Sequence, residues 1–317
     1  MKDSEAGRVH HHAPHPSAAV GGQAVIEGVM MRGKRHWSVA VRRPDGEISL
    51  HSEALKPLAD SHDFYKLPVV RGVIGLWESL ALGIRALSMS AQESISEEEE
   101  EISKKEMAVS VIIGGALAIL LFVAVPLFAV KSIQSELPSS SLFVLAEGAL
   151  RIAILVGYIW AVSRIKHLRR VFEYHGAEHK TIHALESGLE LTPANVKRFS
   201  PLHPRCGTSF LLIVMVLAIA VFSFVGVPGI YLLIISRILG IPLIVGLSYE
   251  VIKYAGRHKN SRFMHAVLYP GLILQKLTTR EPDLSQIEVA IVALKGVAEA
   301  EPIEMDHDGR GDVEVMA

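Results

Sequence analysis

The sequence predicts a mainly α membrane protein: a four-helix transmembrane bundle carrying a small cytoplasmic α+β part, made of a short antiparallel sheet and amphipathic helices. Three observations predict it. Half of the 317 residues are apolar, and they are gathered into long uncharged runs. Those runs reach the roughly 20 residues a helix needs to cross a hydrocarbon core about 30 Å thick. Ahead of them, residues 21–66 alternate apolar and polar between turn-forming residues, the pattern of short strands.

Residues 1–20 place His10, His11, His12 and His15 among Ala, Pro and Ser, which predicts a mobile tail with at most loose metal affinity. No secretory leader is read there. Residues 21–66 predict a small cytoplasmic β domain. Its glycine-punctuated run from Gly21 to Gly33 leads to two alternating segments, Trp37–Val41 and Glu47–His51. Between these, Arg43-Pro44-Asp45-Gly46 supplies hairpin-turn chemistry. Within the first run Glu27 is a lone carboxylate, read either as solvated alternation or as a site ligand.

Residues 67–90 carry one apolar helical stripe through Val70, Val73, Trp77, Leu80, Ile84 and Leu87. Arg71, Glu78 and Arg85 recur on another face, so an interfacial helix is expected there instead of a span. Residues 91–106 contain the acid run Glu97–Glu101, a solvated linker. Spans are predicted over 107–130 and 142–163, the second holding Glu147 and Arg151. The uncharged run 207–236 is too long for one crossing and is broken at Val227-Pro228-Gly229, giving spans over 208–226 and 229–249. Arg237 lies in the last of these. Ionisable residues at membrane depth face the bundle interior in pairs or mark a permeation path. After the spans, 253–300 predicts cytoplasmic helices, one opened by a capping box at Ser285-x-x-Glu288. Residues 301–317 form an acidic tail, and no internal repeat is present.

Orientation follows from basic residues. The loop 164–207 holds Arg164, Lys166, Arg169, Arg170, Lys180, Lys197, Arg198 and Arg205, whereas the loop between the first two spans holds only Lys131. Both termini and the loop 164–207 are therefore expected in the cytoplasm, with the bundle in a bacterial inner membrane and the lipid bilayer as its first partner. The balance of 32 basic against 33 acidic residues argues against a nucleic-acid partner. One cysteine, Cys206, excludes an intrachain disulfide.

The loop 164–207 carries the candidate chemistry. Tyr174-His175-Gly176-Ala177-Glu178-His179-Lys180-Thr181 contains His-x-x-Glu-His, the order found in inverzincin peptidases. On a helix His175 and His179 stack one turn apart, with Glu178 beside them. Two neutral imidazoles so placed can hold a divalent cation, and the carboxylate can act as general base. His183 is about 12 Å along the axis from His175, too far for all three to share one ion. A further ligand must come from elsewhere: His203, Cys206, Glu250 or Glu27. A Cys206 thiolate favours zinc. Closure by His175, His179, His203 and Cys206 would make a structural site, whereas Glu250 as third ligand would leave a hydrolytic one.

The segments Gly21–Gly33, Pro68-Val69-Val70-Arg71-Gly72, Tyr174–Thr181, His203-Pro204-Arg205-Cys206-Gly207-Thr208-Ser209-Phe210 and Leu274–Pro282 resemble the YqhQ-like family of bacterial membrane proteins. The resemblance runs from about residue 21 to about 298. It implies that these segments form one unit. The family has no assigned function and is sometimes described as metal-dependent enzymes. The expectation is thus a multi-pass inner-membrane protein with a cytoplasmic-side metal centre and hydrolase chemistry through Glu178. The alternatives are a membrane-anchored scaffold binding a protein partner through its cytoplasmic part and, with Glu147, Arg151 and Arg237, a transporter.

Overall fold

Strands come first in the chain: β1 (Ser17–Ala18), β2 (Gly21–Val25), β3 (Gly28–Arg32), β4 (His36–Arg42) and β5 (Ile48–Ala54). The computed structural model describes residues 17–18, 20–95, 103–225, 229–257, 262–303 and 305–306. The His-rich tail, the Glu97–Glu101 run, the Val227-Pro228 break and residues 307–317 lie outside the described residues. β2 to β5 form an antiparallel sheet in sequence order, with Val25 opposite Gly28, Val29 opposite Ala40 and Val39 opposite His51. The Arg43–Gly46 turn joins β4 to β5. Gly46 adopts φ 90°, which a side chain would resist, and the Asp45 carboxylate accepts from the Glu47 amide at 2.9 Å.

The central strands β3 and β4 are buried on both faces, whereas the edge strand β5 alternates half-buried and exposed residues. Val29, Met31 and Ala40 point into one core with α5 (Lys166–Glu186) and α10 (Leu284–Ala300). Val25, Met30, Val39 and Val41 point into another with Leu82 and Ala86 of α1 (Val70–Glu93). α10 is seated by a 2.5 Å bond from the Ser38 hydroxyl to the Ala293 carbonyl. Its start differs from expectation. Asp283 caps the helix in a box with Gln286, not Ser285 with Glu288. β6 (Met305–Asp306) then pairs with β1.

Among the described residues, five helical stretches are long and apolar enough to cross a membrane. The expected four fall on α2 (Lys104–Ile119) continued through a π turn at Leu120–Ala124 into α3 (Val125–Ser132), on α4 (Ser140–Val162), on α7 (Gly207–Val225) and on α8 (Ile230–Arg257). Pro126 explains the π turn, because it has no N–H to continue the ladder. The fifth is α1, whose four charges are all paired: Arg71 with Glu250, Glu78 with Arg32, Arg85 with Glu53 and Glu93 with Arg43. α1 packs on α8 on one side and on the sheet on the other. α9 (Arg262–Thr278) packs against α7 and α4.

Inside the bundle Glu147 accepts from Arg151 and from Arg237, each at 2.5 Å. Arg237 also lies 3.8 Å over the Phe222 ring. A carboxylate shared by two guanidiniums is helix-bundle pairing, and it supplies the inward partners that Arg151 and Arg237 require in hydrocarbon.

Candidate metal centre

α5 brings His175 and His179 to one face, with ring centroids 4.4 Å apart. Each ring is oriented by a backbone carbonyl. His175 Nδ1 lies 2.8 Å from the Thr278 oxygen, and His179 Nδ1 lies 2.6 Å from the Pro201 oxygen. A carbonyl accepts only, so both Nδ1 atoms carry the proton and both Nε2 atoms present a lone pair. His179 Nε2 is buried and has no hydrogen-bond partner among the described residues. His175 Nε2 lies 3.3 Å from the Cys206 sulfur. The three donor atoms of His175, His179 and Cys206 all lie within 4.8 Å of one another. Zinc bonds of about 2.0–2.1 Å to nitrogen and 2.3 Å to sulfur set a tetrahedral N–S edge of about 3.5 Å. The observed 3.3 Å between His175 and Cys206 is close to that edge.

The electrostatics match a soft, dehydrated donor set. Burial holds the His179 ring neutral, with its pKa down to about 4, and the neighbouring His175 acts in the same direction. Burial alone would push the Cys206 thiol up. The His179 ring and Thr208, whose hydroxyl is 3.3 Å from the sulfur, outweigh it and hold the thiol below its usual range. Glu178 is buried beside the group. Burial pushes its carboxyl up to about 8, and one of its oxygens has no partner among the described residues. Gly22 makes the space: a Cβ there would stand 2.9 Å from Glu178 Cγ and 2.8 Å from the Met30 carbonyl.

The other expected ligands are placed elsewhere. Glu250 receives Arg71 and, at 3.3 Å, the Val69 amide. It ties α8 to α1 and is not part of the donor group. Glu27 is the turn residue between β2 and β3, at φ 50°, clasped by Arg170 at 2.5 Å. His203 has both ring nitrogens engaged: Nδ1 accepts the Arg205 amide at 3.3 Å and Nε2 lies 3.5 Å from Glu186. The closed four-ligand site is therefore not formed. His183, Glu186 and His203 make a second cluster, but Arg205 ion-pairs with Glu186 there and meets its charge without a cation.

The segments of this assembly match known sequences as one unit. A family described as proteins of unknown function, DUF1385, matches residues 67–300. The chain belongs to the DUF1385 family. It is 35% identical over 286 residues to the uncharacterized protein YqhQ of Bacillus subtilis (strain 168), spanning 86% of this chain and 90% of that one. No solved structure matches it. Neither description names an activity or a metal.

Several parts of the DUF1385 site lie outside what side-chain motifs reveal. Gln275 clamps the segment that carries Pro201 and Cys206: it accepts from the His203 amide at 2.9 Å and donates to the His203 carbonyl at 2.8 Å. Lys180, buried, donates to the carbonyls of Lys197 and Phe199 and to Glu281. Gly176 lets α5 meet the segment after α9, since a Cβ would stand 2.0 Å from the Arg280 carbonyl. That approach brings Thr278 to His175. His175 and Cys206 also form part of the wall of a cavity of about 660 Å³ between α1, α7 and α8, into which Gln23, Arg32 and Thr208 also project.

Proposed function

We propose that this protein is a multi-pass inner-membrane metalloenzyme whose zinc centre, held by His175, His179 and Cys206 on the cytoplasmic side, serves hydrolysis. The observation that carries the reading is the convergence of two carbonyl-oriented imidazoles and a thiol, their Nε2 and Sγ atoms gathered within 4.8 Å of one another. Three protein donors leave a fourth position, as catalytic zinc requires. His175 and Cys206 reach the cavity, which gives that position access to a substrate. A zinc ion held by these three residues would supply Lewis-acid polarisation of a water or carbonyl, and its charge would favour the ionised form of Glu178.

The chain's own groups do the rest. Glu178 takes the proton of the attacking water as its oxygen bonds to an acyl carbon. As the acyl–heteroatom bond breaks, Glu178 passes that proton to the departing heteroatom. The Thr278 and Pro201 carbonyls fix the tautomers of both rings. The Glu147 triad supports bundle pairing over a permeation path, since both arginines are met by protein.

The test is metal content of the detergent-purified full chain by mass spectrometry. About one zinc per chain is expected. The His175→Ala, His179→Ala double variant and Cys206→Ser should lose it, while Glu178→Gln should keep it. Unchanged zinc in the double variant would overturn the proposal.

A further inference from the structure

The cavity is larger than a water-handling site needs, and its lining is unlike that of a soluble active site. One wall is a stripe of α1 running from Gly72 to Leu87 through Leu76, Leu80 and Ile84. At 1.5 Å per residue that stripe is about 22 Å long. The facing wall is α7, with Leu211 and Val214 one and two turns beyond Thr208. Arg32 and Ser79, bonded at 3.1 Å, and Gln23, against Gly83, interrupt the α1 wall, and Thr208 stands at the donor end. Thr208 is bonded to Cys206, and Gln23 follows Gly22, the residue that backs Glu178.

The cleft also continues onto the molecular surface. Leu80 is 56% exposed and Leu211 43% exposed, although both line the cavity. Trp77, one turn from the cleft on α1, is 65% exposed. Large apolar side chains at a cleft mouth, on helices apolar enough to cross a membrane, mark a mouth facing lipid, with the tryptophan at interfacial depth.

We infer that the substrate is a membrane amphiphile, whose apolar chain enters from the bilayer between α1 and α7 and whose polar linkage reaches the His175–Cys206 end. The inference rests on the hydrolase reading and names its substrate class. Size selects an acyl-type chain over a peptide helix. One turn of helix, about 11 Å across and 5.4 Å high, occupies roughly 500 Å³ and would nearly fill the cavity. Small-molecule ligands fit cavities of about 300–1,000 Å³.

The experiment uses the full chain in lipid nanodiscs with a diazirine-bearing palmitate, with photolabelled residues mapped by peptide mass spectrometry. Labelling should concentrate on the cavity faces of α1 and α7, and excess palmitate should suppress it. Labelling of the outer face of α4, at Leu145 and Val156, should not saturate. Gly75→Leu should lower cavity labelling roughly tenfold, equivalent to about 1.4 kcal/mol of lost binding, because the new side chain occupies the cleft. A Cβ at Gly75 has open space, with Tyr249 4.0 Å away. Should that variant fail to fold, Val214→Trp fills the same cleft from α7.

The His175→Ala, His179→Ala variant should label like the wild type. Labelling retained in a protein that never holds zinc would remove the metal reading and leave the cleft assignment standing. Zinc present with cavity labelling no denser than that of α4 would remove the cleft assignment alone. A diazirine-bearing apolar peptide of about 20 residues that labels the cavity where palmitate does not would overturn the inference in favour of a peptide substrate.

Discussion

Glu147→Gln isolates the ion triad inside the bundle. The carboxylate accepts from Arg151 and Arg237 at 2.5 Å, and the Glu147 and Arg237 side chains are only 4% and 3% exposed. The amide keeps the volume and removes the charge, so two guanidiniums are left facing each other with no anion between them. Breaking a buried pair by removing one partner costs about 3–5 kcal/mol. For a chain of this size 1 kcal/mol moves the melting temperature by about 2 °C, which gives a fall of about 6–10 °C. The assay is thermal unfolding of the detergent-purified protein followed by size-exclusion fluorescence. Replacing all three members, Glu147→Met with Arg151→Met and Arg237→Met, should recover most of the loss, because replacing a buried ion triad by apolar groups is close to neutral. A Glu147→Gln protein melting within about 2 °C of wild type would refute the claim that this carboxylate carries both arginines.

Three further outcomes are expected. Gly22→Ala should cost about 1–3 kcal/mol and displace Glu178, lowering turnover while zinc content stays constant, because its Cβ would press on Glu178 Cγ and the Met30 carbonyl at under 3 Å. Gln275→Leu should weaken zinc affinity about 10–100-fold without touching a ligand, since it frees the segment holding Pro201 and Cys206; a competition titration with a chelating dye reads this. The metal-free protein should lose stability in acid. His179 and His203 are buried neutral, with pKa values down to about 4 and about 3, so above about pH 6.5 neither state binds the proton and the stability is fully present. Below that the unfolded chain takes up two imidazole protons first, while Glu178, protonated in the fold up to about pH 8, offsets one of them, so the net loss is that of about one proton. Melting temperature should fall progressively from pH 6.5 toward pH 4, and a flat profile there would contradict the buried-neutral assignment.

The hairpin at Arg43–Gly46, the long apolar helices and the stacked histidines of α5 were legible in the sequence, because each is a local pattern of period, turn chemistry or spacing. What was not legible depends on which of several equivalent side chains finds a partner. Glu250 and Cys206 were both ligand candidates; the structure separates them because Arg71, 179 residues earlier in the chain, takes the carboxylate. Asp283-x-x-Gln286 and Ser285-x-x-Glu288 both fit a capping box, and docking of α10 on the sheet selected the former. The carbonyls of Thr278 and Pro201 have no signature at all, since every residue owns one. The α1–α7 cleft was equally hidden, its walls lying more than a hundred residues apart.

The Thr278 carbonyl that sets the His175 ring is translated 103 residues after that histidine. A nascent chain halted before α9 therefore owns both imidazoles and the thiol but lacks the acceptor that fixes one tautomer. Maturation has to run in one direction, with membrane insertion and docking of the late helical segment preceding completion of the donor geometry.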